Sequence, residues 1–222
     1  SLLYNEINYQ TKFLDIRKII EKYIKKFNVI IFLAGISNNP VQTIKSTYIY
    51  EHTRKYTYRI AELSKKYGIK FIFSSSCSVY GVSNNLCNEN TKPNPQTGYS
   101  KNKIDIEKDL QFLADKNFTP IILRLATLFG ISPRMRFDIM INMICGMAIT
   151  KNKILLNSNG QSWRPHLYID DACDAFKCAI DKKFYSKNAI ILNVGLNKNN
   201  MKILDVANLV KKNFQSCNIE FL

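Results

Sequence analysis

Residues 70–80 read KFIFSSSCSVY, in which a mainly apolar run at 70–75 (KFIFSS) is followed by the segment SCSVY. A continuous apolar run of this length is typical of a strand that is buried on both faces of a parallel sheet. Three further runs share the pattern: residues 28–34 (NVIIFLA), 120–126 (PIILRLA) and 189–194 (AIILNV). Amphipathic stretches alternate with these runs, and the alternation predicts an α/β fold with a doubly wound parallel sheet.

Two helices are predicted between the first three strands. In the first, apolar residues recur at four-three-four spacing: Tyr56, Ile60, Leu63 and Tyr67. Gly68 follows, where a helix C-terminal glycine belongs. The second helix presents one face of residues at helical spacing: Tyr99, Lys103, Ile106, Leu110 and Leu113. The predicted order is therefore strand, helix, strand, helix, strand.

The regular alternation stops after Gly130. A loop with proline and arginine (residues 131–138, ISPRMRFD) precedes an apolar helix predicted at 139–149, a polar turn at 157–162 and an amphipathic helix at 203–214. We expect residues 131–165 and 197–222 to form a small substrate-binding lobe. The sheet domain then consists of residues 1–130 and 166–196.

Composition favours one globular unit without nucleic-acid or membrane partners. The chain has 222 residues, of which 46% are hydrophobic, enough for one sizeable core. No run approaches the roughly 20 apolar residues that span a bilayer, and the first residues lack a secretory pattern, so we expect a cytoplasmic protein. The net charge is +15, but the lysines occur singly or in pairs, which favours a solvated surface over a nucleic-acid site.

The six cysteines do not form a recognisable metal or disulfide pattern. No C-x-x-C pair occurs, and the members of the closest pair, Cys173 and Cys178, have four residues between them. We therefore interpret all six as reduced, structural thiols.

The chemistry is predicted from Tyr99-x-x-x-Lys103 together with the serines of residues 74–76. The serines lie at the carboxyl end of a buried strand, where open α/β sheets bind ligands. A spacing of four places Tyr99 and Lys103 one turn apart on one helix face, where the cation is expected to lower the pKa of the phenol. Tyrosine–lysine pairs at this spacing also arise by chance on solvated faces, and the upstream serines make the functional reading the stronger one.

Five segments occur in an order that resembles the NAD-dependent epimerase/dehydratase family of extended short-chain dehydrogenases/reductases: FLAGIS (32–37), SSSCSVYG (74–81), YSKNK (99–103), LRLATLFG (123–130) and GQSWRPHLYIDD (160–171). The resemblance implies a Rossmann-like fold and a tightly held NAD, with NADP not excluded. It implies that Ser76 hydrogen-bonds the reacting hydroxyl, that Tyr99 is the base, and that Lys103 activates Tyr99 and holds the nicotinamide ribose.

Further cofactor contacts are implied by matching segments. The turn after the first strand passes along the pyrophosphate and ribose and comprises Leu33, Ala34, Gly35, Ile36 and Ser37. Asp15 and Ile16 resemble the segment whose aspartate meets the adenine amino group, although the preference of an aspartate for a helix N-terminus explains Asp15 equally well. The remaining cofactor-binding candidates are Thr53, Ser74, Ser75 and, through its backbone, Ala126.

Substrate contacts are implied for a nucleotide-diphosphate sugar. Arg164 matches the family arginine that grips the diphosphate, because a guanidinium fork suits paired phosphate oxygens. Arg134 and Arg136 are candidates for a second phosphate contact or, equally, solvated loop charges. Asp171 matches an aspartate that we expect to be a structural hydrogen-bond partner.

The sequence departs from the family pattern in several places. It contains no G-x-x-G-x-x-G turn, so we expect a chain that is truncated at both ends and lacks the first βαβ unit. Tyr56 stands where the family has a small glycine, and Thr53 where it has an asparagine. Cys77 and Ser78 occupy the places of the acidic pair of 4,6-dehydratases.

These departures leave several activities open. The absence of the acidic pair favours an epimerase, a decarboxylase or a reductase over a dehydratase. A non-catalytic nucleotide-binding remnant and a basic nucleic-acid-binding module are the alternatives from other functional classes. Family habit also predicts a homodimer through the helices that carry Tyr56 and Leu110.

Overall fold

The computed structural model describes residues 10–19, 21–36, 46–83, 85–184, 186–214 and 216–222. Within them the strands are β1 (Val29–Phe32), β2 (Lys70–Ser76), β3 (Ile121–Leu125), β4 (Thr127–Phe129), β5 (Lys153–Leu156), β6 (Trp163–Tyr168), β7 (Ile190–Val194), β8 (Asn200–Lys202) and β9 (Asn218–Phe221). The α-helices are α1 (Glu21–Ile24), α2 (Ser46–Lys66), α3 (Gly98–Leu113), α4 (Met140–Lys151), α5 (Ile169–Asp181) and α6 (Ile203–Asn213), with short 3-10 turns at Ile16–Lys18, Cys77–Tyr80 and Asn197–Asn199.

A parallel sheet with strand order β1-β2-β3-β7 forms the centre of the fold. Its register pairs Ser76 with Leu125 and Leu125 with Val194. The carboxyl ends of β2, β3 and β7 therefore meet at one edge of the sheet, and the predicted doubly wound α/β fold is confirmed.

The central strands are more deeply buried than the outer ones. All five residues of β3 are buried, and β2 is largely so. By contrast, Ile31 of β1 is 37% exposed and Leu192 of β7 is 36% exposed. The prediction of strands buried on both faces is confirmed for β2 and β3 and is wrong for β1 and β7, because these two lie at the edges of the sheet in the described residues.

Helices cover both faces of the sheet. Phe71, Phe73 and Ile122 point to one face and pack in a single core with residues of α2 and α3, including Ala61 and Leu110. The alternate residues point to the other face, where they pack with residues of α5: Ile72, Ile121, Leu123, Ala172 and Ala179. Period-two alternation along β2 and β3 thus divides the interior into two layers.

The ends of α2 and α3 follow from local sequence chemistry. Gly68 has a φ of +64° just beyond α2, the left-handed conformation expected of a C-terminal glycine. At the start of α3, the Thr97 hydroxyl accepts a hydrogen bond from the Ser100 amide, and the Ser100 hydroxyl accepts one from the Thr97 amide. This reciprocal cap contributes about 1 kcal/mol and fixes where the helix that carries Tyr99 begins.

A separate hydrophobic cluster lies in the second half of the chain. It is built from residues of α4, β5, α6 and the segment before β9: Ile144, Ala148, Ile154, Leu156, Val206, Ala207 and Cys217. Strand β6 connects it to the sheet domain through the β4-β6-β8 sheet. The cluster fits the expected substrate-binding lobe, while the domain boundaries at residues 130 and 165 stay a prediction.

Six of the predicted strands and helices are confirmed to within two residues: β1, β2, β3, β7, α4 and α6. The short strands β4, β5, β6, β8 and β9 and the helix α5 were not predicted. The short strands have three to six residues, too few to display a period, and the buried face of α5 is built from the small residues Ala172 and Ala179. No helix within the described ranges is long and apolar enough to span a bilayer.

Candidate active site

The candidate site lies where β2 ends. Ser76 is the last residue of β2 and the N-cap of the turn Cys77–Tyr80, and its hydroxyl oxygen accepts a hydrogen bond from the Ser78 amide at 3.2 Å. Because Ser76 is held at the carboxyl edge of the sheet, its hydroxyl borders the region where open α/β folds bind ligands.

Tyr99 and Lys103 approach this edge from the first two turns of α3. The Lys103 ammonium donates a hydrogen bond to the Ser74 carbonyl at 2.5 Å, and its Nζ lies 5.5 Å from the centroid of the Tyr99 ring. Hydrogen bonding with Ser76 is among the influences on the pKa of the Tyr99 phenol, so the two side chains lie near each other. The structure therefore brings together the three residues predicted to be catalytic.

Burial shifts the pKa values of Tyr99 and Lys103 in opposite directions. It raises the pKa of the Tyr99 phenol, and hydrogen bonding with Ser76 and the positive charge of Arg136 oppose that rise. It lowers the pKa of the Lys103 ammonium to about 8, and the carboxylate of Glu107 opposes that fall. Desolvation disfavours whichever form is charged, so both directions have one cause.

The predicted lowering of the Tyr99 pKa by Lys103 is wrong for this structure. Lys103 directs its ammonium to the Ser74 carbonyl and lies over the Phe73 ring, 4.6 Å from its centroid. The desolvation of the phenol exceeds the opposing effects of Ser76 and of the Arg136 charge on its pKa. The raised pKa disfavours the phenolate, so Tyr99 requires a nearby positive charge in order to act as a base.

A buried ion pair lies directly beneath these residues. The Arg124 guanidinium on β3 donates to the Glu107 carboxylate on α3, with an Nη2–Oε2 distance of 2.6 Å. The Ser75 hydroxyl donates to the same carboxylate at 2.5 Å. This pair was not predicted from the sequence, although the charged residue inside the run PIILRLA is a signal, because a buried guanidinium requires a partner.

A cavity of about 340 Å³ lies beside the carboxyl end of β1. Predicted cofactor-binding residues make up much of its lining: Asp15, Ile16, Ala34, Gly35, Ile36 and Thr53. Arg17, Phe32, His52 and Tyr56 complete the lining. Three separate segments of sequence thus converge on one concave surface, and this convergence fits the nucleoside end of a dinucleotide.

Asp15 is already engaged in this cavity. Its carboxylate caps the 3-10 turn Ile16–Lys18 through the Arg17 amide and accepts a hydrogen bond from the Arg17 Nε at 2.7 Å. Hydrogen bonding with Arg17 lowers the pKa of Asp15 to about 2. Asp15 therefore serves both as a cap and as an ion-pair partner, and an adenine amino group would share it with Arg17.

Among the described residues, others predicted to bind the cofactor do not line the cavity beside β1. The side chain of Leu33 is 65% exposed and does not line the cavity. The Ser75 hydroxyl points into the core toward Glu107, so the geometry does not bring this side chain to the cleft. Ala126 lies at the end of β3, where its amide donates to the Val194 carbonyl at 2.9 Å. Ser37 lies outside the described residues.

Two arginines lie within electrostatic reach of residues at the end of β2 and the start of α3. The charge of Arg136 acts on Tyr99, and its guanidinium pairs with Asp138, with an Nη2–Oδ2 distance of 2.6 Å. The charge of Arg164 acts on Cys77, the residue next to Ser76. Both cations thus lie within electrostatic reach of the candidate catalytic groups.

Two further predictions about this region have different outcomes. Arg134 is exposed, as a solvated loop charge would be. Asp171 is exposed in the first turn of α5, and no hydrogen bond to it is present in the described part of the chain. The predicted structural bond of Asp171 is therefore wrong for this structure, and its carboxylate instead complements the α5 dipole.

Known proteins similar to this chain include enzymes that act on nucleotide sugars. It is 29% identical over 126 residues to an uncharacterized UDP-glucose epimerase, YtcB, of Bacillus subtilis, a match that covers 56% of this chain and 39% of the relative. It is 28% identical over 184 residues to the dTDP-D-glucose 4,6-dehydratase of Dictyostelium discoideum, with 75% and 41% covered. The chain thus spans about two fifths of the length of the curated relatives it matches.

Solved structures and a family profile extend the comparison. The UDP-glucuronic acid 4-epimerase of Bacillus cereus, in complex with UDP-glucuronic acid and NAD, has a TM-score of 0.82 and 25% identity, with 94% of this chain and 67% of that chain covered. MoeE5 in complex with UDP-glucose and NAD shares the fold, with a TM-score of 0.79, 20% identity and coverage of 94% and 70%. The profile of the NAD dependent epimerase/dehydratase family matches residues 6–195. Because this match extends over well more than half of the sequence, the chain belongs to the NAD-dependent epimerase/dehydratase family.

Proposed function

We propose that the chain carries the catalytic centre of an NAD-dependent nucleotide-sugar epimerase, in which a hydride leaves a sugar carbon while Tyr99 takes the hydroxyl proton. The observation that carries this proposal is the convergence of Ser76, Tyr99 and Lys103 at the carboxyl edge of the sheet. Such a convergence of a phenol, an ammonium and a hydroxyl provides a base, its electrostatic partner and a donor that orients the substrate.

Each of the three residues has a distinct task. Ser76 orients the reacting hydroxyl, because its own hydroxyl lies beside Tyr99. Tyr99 exchanges the proton of that hydroxyl. Lys103 supplies positive charge next to the phenol, and with a pKa of about 8 it is largely charged at neutral pH.

NAD is the cofactor that fits the residues beside β1. The cavity beside β1 offers apolar walls from Ile16 and Ile36 and backbone groups at Gly35. When bound, NAD supplies reversible hydride transfer. We propose that Asp15, Ala34 and Thr53 contact its adenosine part, whereas Ser74, Tyr99 and Lys103 border the nicotinamide end.

The substrate class is a nucleotide-diphosphate sugar. The relatives with known ligands are described with UDP-glucose and UDP-glucuronic acid, and both carry a diphosphate. Arg164 and Arg136 are the proposed diphosphate contacts, and the electrostatic effect of each on a residue of the candidate site supports this.

Epimerase chemistry is favoured over dehydration by the residue after Ser76. Burial raises the pKa of the Cys77 thiol to about 11. A neutral thiol of this kind is a poor acid for expelling water, whereas a carboxylic acid in its place would suit the task. Reductase and decarboxylase activities use the same Tyr99 and remain the alternatives within the family.

A non-catalytic nucleotide-binding remnant is the second candidate. Two observations favour it: the Tyr99 pKa is raised, and Asp15 is occupied by Arg17.

We also propose a homodimer. Leu110 of α3 is fully buried, so the contact surface on that helix would centre on Phe112, which is 82% exposed.

Calorimetry and a conservative substitution test the proposed function. The wild-type chain is titrated with NAD and with UDP- and dTDP-sugars, and turnover is measured by separation of the sugar epimers. Tyr99→Phe removes one oxygen and should reduce turnover by about 10²-fold or more while NAD binding persists. Tyr67→Phe, at a partly exposed position just beyond α2, is the matched control. Turnover that is equal in Tyr99→Phe and wild type would exclude Tyr99 as the base. A wild type that binds a nucleotide ligand without turnover would support the remnant, and one that binds neither ligand would exclude both candidates.

A further inference from the structure

We propose that the buried Glu107–Arg124 ion pair is a positioning device for the reaction, which locks Lys103 beside Tyr99 and supplies the negative charge that compensates the lysine ammonium. The inference rests on the proposed function and extends it to two residues that do not touch the cleft. Glu107 is 1% exposed and Arg124 is 4% exposed.

Three consecutive serines connect β2 to three successive turns of α3. Ser76 interacts with Tyr99, the Ser74 carbonyl accepts the Lys103 ammonium, and the Ser75 hydroxyl donates to Glu107. The partners on α3 are spaced by four residues, so they lie on one helix face. A sliding or rotation of α3 would break the deep Glu107 contact together with the two contacts at the cleft.

Arg124 holds the deep contact in place. Its Nε lies 3.1 Å and 3.2 Å from the two Glu107 carboxylate oxygens, and its Nη2 lies 2.6 Å from Oε2. Its Nη1 donates to the Tyr80 hydroxyl at 2.8 Å, and that hydroxyl donates to the Asn193 side-chain oxygen at 2.7 Å. The pair therefore ties α3 to β2, β3 and β7, the strands whose ends form the cleft.

Stability alone does not account for this network. It lies in the same layer as Phe71, Phe73 and Ile122, a region that apolar side chains fill elsewhere. A buried ion pair can be replaced by apolar residues of similar volume at little cost in stability, and often with a gain. The pair thus has a consequence that apolar packing would not provide, namely a fixed negative charge one turn beyond Lys103.

Within the described ranges, Glu107 is the charged group that acts on the pKa of Lys103. On its own helix Lys103 is flanked by Tyr99 and Glu107, β2 contributes the neutral Ser74 carbonyl, and β3 contributes Arg124, which is paired with Glu107. Burial favours loss of the Lys103 proton, and Glu107 opposes that loss. Removal of the carboxylate would leave two cations in one desolvated region, and lysine, unlike arginine, can then lose its proton.

The test measures the Lys103 titration directly in the full chain. Protein containing lysine with ¹³C at the ε-carbon is titrated by NMR, and the Lys103 resonance is identified by its absence from Lys103→Arg. In Glu107→Gln the pKa of Lys103 should fall by about one unit or more. Glu62→Gln, at an exposed position of α2, is the matched control and should leave the titration unchanged.

A double variant separates positioning from folding. Glu107→Leu/Arg124→Leu restores an apolar core and should keep its thermal midpoint within a few degrees of wild type, yet the Lys103 pKa should still fall. The basic limb of the pH profile of kcat should shift to lower pH in both variants, because Lys103 is charged below its pKa and neutral above it. The thermal midpoint, the Lys103 titration and the kcat profile of the double variant test the positioning role even if Glu107→Gln does not fold.

The outcomes distinguish this inference from the proposed function. A folded variant whose Lys103 titration and kcat profile match wild type refutes the positioning role while the epimerase assignment stands. A wild type that binds neither NAD nor a nucleotide sugar refutes the epimerase assignment, and with it the catalytic meaning of the pair. A lowered Lys103 pKa together with a kcat profile shifted to lower pH supports both the positioning role and the epimerase assignment.

Discussion

Gly81→Ala is expected to destabilise the chain by about 2–6 kcal/mol. Gly81 has a φ of +68° and a ψ of −141°, a conformation that only glycine adopts readily, and a side chain there costs about 1–3 kcal/mol. An added Cβ would also lie 2.0 Å from the carbonyl oxygen of Asn94. Backbone has to move to relieve such an overlap, at a further cost of about 1–3 kcal/mol.

The assay is equilibrium unfolding in urea, followed by circular dichroism. Gly68→Ala is the matched control, because its φ is +64° but a Cβ added there would meet no heavy atom within 4 Å among the described residues. Gly68→Ala should therefore cost only the left-handed conformation, about 1–2 kcal/mol. Gly81→Ala is therefore expected to cost more than Gly68→Ala, because only Gly81 closely approaches Asn94.

The Gly81 contact also matters for the site. Gly81 ends the turn that Ser76 begins, and the Asn94 amide donates to the Val79 carbonyl at 3.0 Å, so a shift of the segment around Asn94 would reach the end of β2. Equal destabilisation in Gly81→Ala and Gly68→Ala would refute the argument, since it would mean that the close approach to Asn94 does not constrain the turn.

Two further predictions concern the substrate and the oligomer. Arg164→Ala should weaken nucleotide-sugar binding by about ten- to a hundredfold, because a charge-assisted contact to phosphate contributes about 1.5–3 kcal/mol. Calorimetry with Lys177→Ala of α5 as the control checks this, and unchanged affinity would exclude the phosphate role. The wild type should sediment as a dimer at micromolar concentration and Phe112→Glu as a monomer, since a charge at the centre of an apolar contact is costly. A monomeric wild type would exclude the dimer.

The fold was predictable where sequence patterns are long and local. The runs at β2 and β3 are buried on both faces, so their composition alone identifies them. The period of α3 is likewise visible, and its cap is encoded by Thr97 and Ser100. The strands of the lobe are three to six residues long and depend on partners distant in sequence, which no local pattern reveals.

The candidate site was predictable as a set of residues, but its electrostatics were not. Motif order identified Ser76, Tyr99 and Lys103, and the structure brings them together. The direction of the Tyr99 pKa depends on burial, which spacing on a helix does not determine. The partner of Arg124 is seventeen residues away on α3, so only the packing of α3 on β3 could identify it.

The opposite shifts of Tyr99 and Lys103 explain why a third charge matters. Burial raises the pKa of the phenol above its usual value and lowers that of the ammonium to about 8, so rising pH removes the Lys103 proton first. Once Lys103 is neutral it no longer favours the phenolate, and Tyr99 becomes a weaker acid than before. A charged Lys103 must therefore be preserved through the working pH range if Tyr99 is to exchange its proton. Glu107 is the group on α3 that opposes the loss of this charge, and Arg124 is the group that keeps Glu107 in place.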